Sequence, residues 1–152
     1  MNIDVDVQYA HKTDDVPDEH AFSEWVTAAL QGRRDNAELT IRVVDENESA
    51  ELNNTYRHKS GPTNVLSFPF EAPTVIESEL LGDIVICADV VAREAQQQGK
   101  PVMAHWAHMT VHGVLHLLGY DHQTESEASD MEMLETQILK DLGYANPYEV
   151  EV

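Results

Sequence analysis

His112-Gly113-Val114-Leu115-His116-Leu117-Leu118-Gly119-Tyr120-Asp121-His122 carries a structural and a chemical instruction together. On a helix, residues four apart lie one above the other, so His112 and His116 can present two imidazole nitrogens to one ion about 2 Å from each. Gly119 readily takes the left-handed conformation that ends a helix and lets the chain swing back, which brings His122 toward the same ion. Three neutral protein ligands on a tetrahedral metal leave one position for water, the property that separates catalytic from structural zinc sites. The expectation is one zinc ion per chain, held by His112, His116 and His122 on a helix and the turn after it. Three imidazoles also suit nickel, copper and iron.

His108 and His105 lie on the same helical face one and two turns before His112, and are read as supporting or substrate-contacting side chains. Met103, Trp106, Thr110, Val114 and Leu117 form a separate, mostly apolar stripe that belongs in a core. The histidine spacing matches the His-Glu-x-x-His-x-x-Gly-x-x-His pattern of metzincin proteases at every position but one. Gly113 stands where a protease needs the glutamate that acts as general base toward water. A peptidase reading is therefore disfavoured, and survives only if a glutamate from elsewhere replaces that base.

The rest of the chain supplies a frame for this helix. Asn2 to Gln8 and Glu38 to Val44 alternate with period two, as half-buried strands do. Between them, Pro17 to Gln31 has helical spacing through Ala21, Trp25, Ala28 and Ala29. Asp45 to Tyr56 reads as a second helix with Leu52 and Tyr56 on its apolar face, and Ser60, Gly61 and Pro62 break it. Val65 to Phe68 and Leu80 to Ile86 are short strands joined by a surface loop containing Pro73. Helices over Ala88 to Gln98, Pro101 to Leu118 and Glu125 to Leu142 follow. The fold class this predicts is α+β, a small mixed sheet packed against several helices, in a single domain over residues 1–152.

Composition excludes several classes. Hydrophobic residues are 42% and charged residues 24%, so disorder is not expected. Met1 to Gln8 lacks the basic start and apolar core of a secretory signal, no apolar run approaches the roughly 20 residues of a membrane span, and the single cysteine, Cys87, reads as a small buried hydrophobe. A cytoplasmic location fits. The net charge of -19 should repel polyanions, so any nucleic-acid site must be local. The cations that exist are clustered: Arg33 with Arg34, Arg57 with His58 and Lys59, and Arg93 near Lys100. Glu125, Glu127, Asp130, Glu132 and Glu135 make the last helix acidic, read as a solvated face.

Cleavage of a phosphodiester needs cations to stabilise charge on the phosphoryl oxygens. Arg57 is the leading candidate, a planar fork donor at a helix end just before the turn at Gly61; the alternative is a surface arginine in an ion pair. At this point three blocks carry a resemblance: Asn53 to Arg57 running into Pro62-Thr63-Asn64-Val65-Leu66-Ser67-Phe68-Pro69, then Leu81-Gly82-Asp83-Ile84, then His112 to His122. Together they resemble the YbeY family, bacterial endoribonucleases that act as rRNA maturation factors. The resemblance implies zinc on His112, His116 and His122, with Arg57 as the family's essential arginine. It also implies single-strand-specific RNA cleavage in maturation of the 3′ end of 16S rRNA and in ribosome quality control. Asn64 stands where many relatives have aspartate, so a carboxylate there is not required.

The site this predicts has His112 and Arg57 as catalytic residues, Arg57 and Lys59 binding substrate with help from His58, and metal-activated water as nucleophile. Attack by a 2′-hydroxyl is equally compatible. Asp83 and Asp121 are candidates to orient a ligand imidazole through its second nitrogen, and Asp121 to cap the next turn. Ser67 reads as a strand residue rather than a nucleophile. The expected partners are single-stranded RNA, rRNA and the ribosomal small subunit or its proteins. The competing class is a ribosome assembly factor with a structural zinc, which accounts for the acidic surface through contacts with basic proteins.

Overall fold

The computed structural model describes residues 2–70 and 79–148. The elements run β1 (Asn2–Tyr9), α1 (Glu19–Leu30), β2 (Asn36–Val44), α2 (Glu46–Arg57), β3 (Val65–Pro69), β4 (Leu80–Cys87), α3 (Ala88–Gln98), α4 (Val102–Leu117) and α5 (Glu125–Asp141). All nine were expected, and most ends shift by one or two residues. The side chains of Asp18, Asp45 and Thr124 accept from the backbone N–H of Ala21, Glu48 and Glu127 and so start α1, α2 and α5. The loop expected around Pro73 lies outside the described residues.

The four strands are ordered β1-β2-β4-β3, with β1, β2 and β4 parallel and β3 antiparallel to β4. The fold is thus α+β with a mixed sheet. Alternation along β2 and β4 sorts the apolar residues onto two faces. Leu39, Ile41, Val43, Ile84 and Ile86 join Phe22, Trp25, Val26 and Leu30 of α1 and Trp106, Val111, Val114 and Leu115 of α4 in the main core. Val44, Val85 and Cys87 meet Leu66, Val90 and the half-buried Leu52 and Phe68 in a smaller core.

Eleven of the sixteen residues of α4 are buried, which makes it the central helix of the molecule. Of the stripe assigned to the core, Trp106, Thr110, Val114 and Leu117 are buried, whereas Met103 is 37% exposed on the first turn. The inward face of α2 also differs from expectation. Tyr56 is 62% exposed, and the buried residues are Ser49 and Asn53. No helix among the described residues is long and apolar enough to cross a membrane.

Two glycines set the spacing between layers. A Cβ on Gly82, whose φ is +140°, would sit 2.2 Å from the Phe68 carbonyl oxygen, so β3 and β4 approach as they do only because position 82 has no side chain. A Cβ on Gly113 would lie 2.9 Å from Ile84 Cγ2, so α4 lies close on β4 at the turn that carries His112.

Candidate metal centre

His112 and His116 stand one turn apart near the end of α4 with ring centroids 4.7 Å apart, and His122 from the following loop lies 5.6 and 5.0 Å from them. One nitrogen from each ring falls within 4.8 Å of the others, a set that can hold a metal ion. The local sequence builds this return. Gly119 adopts φ +104°, its N–H donates to the His116 carbonyl at 3.0 Å, and the Tyr120 N–H donates to Leu115 at 3.0 Å. This paired closure satisfies carbonyls at the helix end and reverses the chain. Asp121 then accepts from the His122 N–H at 2.7 Å.

The residue that orients the site is Glu135 of α5. It is fully buried, and His112 Nδ1 donates to its Oε1 at 2.5 Å. That bond fixes the His112 tautomer and leaves Nε2 bare toward the other histidines. Burial works to raise the Glu135 pKa, but hydrogen bonds from His108 and His112 prevail and hold it at about 2. The carboxylate is therefore charged. Burial, followed by repulsion from His112 and His122, lowers the pKa of His116 and keeps that ring neutral, as a ligand must be.

These findings correct several expectations. Glu135 belongs to the acidic run read as a solvated face, yet it points into the protein. Asp83 is exposed on β4, and Asp121 bonds its own neighbour's backbone, so neither donates orientation to a ligand ring in the way Glu135 does. His108 Nε2 lies 3.5 Å from Glu135 Oε2, behind the three histidines. His105 instead turns to α3, where its Nε2 is 2.9 Å from Glu94. Glu94 in turn accepts from Asn64 Nδ2 at 3.1 Å, and the hydrogen bond from His105 leads the causes that hold its carboxyl below the ordinary range.

Arg57 and Lys59 line the same cleft as the three histidines, a concavity of about 1180 Å³ with Asn64, Ser67 and Phe68 on its wall. Among the described residues neither cation has an ion-pair partner. His58 between them is the left-handed C-cap of α2, with φ 57°, and does not line the cleft. The segment is pinned by the polar face of α2. Asn53 Nδ2 donates to Gly61, and Ser49 Oγ both accepts from the Thr63 N–H and donates to its carbonyl. Ser67 Oγ donates to the Gly113 carbonyl, tying β3 to α4. Tyr56 packs edge-on against Phe68 at the mouth.

The fold is similar to that of TM1509 from Thermotoga maritima, solved in solution. The TM-score is 0.59 at 20% identity, over 97% of this chain and 99% of that one. The sequence model of the family described as Endoribonuclease YbeY matches residues 6–143, from the second half of β1 through α5. The chain belongs to the YbeY endoribonuclease family.

Proposed function

We propose that the protein is a zinc-dependent, single-strand-specific endoribonuclease of the cytoplasm that matures the 3′ end of 16S rRNA and serves ribosome quality control. The observation that carries this reading is the convergence of three imidazoles and two cations, Arg57 and Lys59, in one cleft of an acidic protein. The donor set fits zinc: three nitrogen ligands on a rigid helix and turn, with the Glu135 carboxylate behind one of them. Bound by His112, His116 and His122, zinc supplies Lewis-acid chemistry and brings the pKa of a water molecule to about 7.

The side chains do the remainder. Arg57 grips two phosphoryl oxygens with its planar fork and meets the charge that develops on them, while Lys59 adds a point charge beside it. Glu135 stays charged and keeps the His112 Nδ1–H engaged. The gap left at Gly113 separates this site from a peptidase, because that position abuts Ile84 rather than opening to the cleft.

The test is cleavage of a single-stranded rRNA fragment by wild type, His112→Ala and Arg57→Ala, with metal content measured in parallel. Cleavage is lost in both variants, and zinc is lost only from His112→Ala. Unchanged cleavage would trace the activity to a contaminant and return the assembly-factor reading to first place. The ends of the products, a 2′,3′-cyclic phosphate or a simple monoester, decide between 2′-hydroxyl and water attack.

A further inference from the structure

After α5 the chain turns at Gly143, φ +94°, and the segment Asn146 to Tyr148 runs back beside the helix it has just left. It is anchored on both sides. Asn146 Oδ1 accepts from Thr136 of α5 at 3.5 Å and from the Tyr148 N–H at 2.9 Å, and Lys100, after α3, donates its ammonium to the Pro147 carbonyl. This strap delivers the Tyr148 hydroxyl to Oε2 of Glu135, the oxygen that His112 leaves unused. His108 Nε2 is 3.2 Å from the same hydroxyl, and its ring packs edge-on against Tyr148 with centroids 5.2 Å apart.

The hydrogen bonds form one consistent chain. His108 Nε2–H donates to the Tyr148 oxygen at 3.2 Å and more distantly to Glu135 Oε2 at 3.5 Å, Tyr148 O–H donates to Glu135, and Glu135 accepts the His112 Nδ1–H on its other oxygen. His108 Nδ1, buried without a partner, is then a bare acceptor, which costs less than an orphaned donor. Without the tyrosine hydroxyl, the buried carboxylate keeps the His112 donor at 2.5 Å and only the long 3.5 Å approach of His108, so its Oε2 is no longer firmly held.

We infer that Tyr148 is a positioning residue of the metal centre: its hydroxyl holds Glu135 in the orientation that keeps His112 Nδ1 protonated and Nε2 bare. The inference rests on the metal-site reading above. It assigns a share of metal affinity to a side chain 26 positions beyond the last ligand, His122.

Tyr148→Phe keeps the ring and removes the hydroxyl. Two readouts on the purified full chain test it: the His112 tautomer in the metal-free protein, from ring-nitrogen NMR shifts, and zinc affinity by competition with a chromophoric chelator. The expected result is a single Nδ1-protonated tautomer in wild type and a mixture in the variant, with zinc binding weakened about 10-fold or more. A variant with the wild-type tautomer and affinity overturns the inference, as does one that loses only thermal stability. If wild type itself fails to bind zinc, the metal reading falls, and the tautomer comparison still decides the part played by Tyr148.

Discussion

At the scale of single residues, the ligands and their support differ in how they are written. His112, His116 and His122 were legible because helix spacing and a helix-ending glycine convert sequence distance directly into geometry. Glu135 was not legible: it lies among Glu125, Glu127, Asp130 and Glu132, and nothing in that run tells a buried carboxylate from solvated ones. Only the packing of α5 on α4 distinguishes it. Glu135→Gln keeps the shape and one acceptor oxygen but removes the charge, and zinc affinity should fall about 10- to 100-fold. Chelator competition checks this, and an unchanged affinity would leave Glu135 a purely structural residue. Arg57 was legible as a candidate through its place at a helix end, but the pinning of its loop by Ser49 and Asn53 was not. Small polar residues facing inward have no periodic signature.

At the scale of elements, the strands and helices followed from periodicity and caps, while the closeness of α4 to the sheet followed from a contact that no local pattern encodes. Gly113→Ala places a methyl against Ile84 and should destabilise by about 1–3 kcal/mol, as overpacking does. Denaturant unfolding measures it. Helix α4 also makes the fold sensitive to acid. Burial leads the causes that lower the pKa of both His108 and His116 from 6.5, so below that pH the unfolded chain takes up protons that the folded chain resists. Their contribution is fully present above pH 6.5 and is lost as pH falls. Glu94 and Glu135, both lowered from 4.5, act in the same sense at lower pH. The urea midpoint of chelator-treated protein should therefore drop between pH 7.5 and pH 5. A midpoint that rises on acidification contradicts this account.

At the scale of the whole molecule, a net charge of -19 sets how RNA is held. On the proposed reading, attraction to phosphate comes from the cleft that Arg57 and Lys59 line, against repulsion from the remaining surface. Two neutralised phosphates on a single strand give a slope of log K against log salt of about −1.4. Binding of an RNA fragment to metal-free His112→Ala at graded salt should show a slope this shallow, and a much steeper one would bring in further cations such as Arg33. The packing of α1 on α4 has a practical consequence for such measurements. Trp25 and Trp106, the only tryptophans, are 3% and 1% exposed and both meet Phe22 edge-on, within the core shared by the two helices. Neither lines the cleft. Their fluorescence should therefore be blue-shifted, resistant to aqueous quenchers and unmoved by RNA at the mouth. It is an optical probe of whether the core is intact, separate from whether the site is filled.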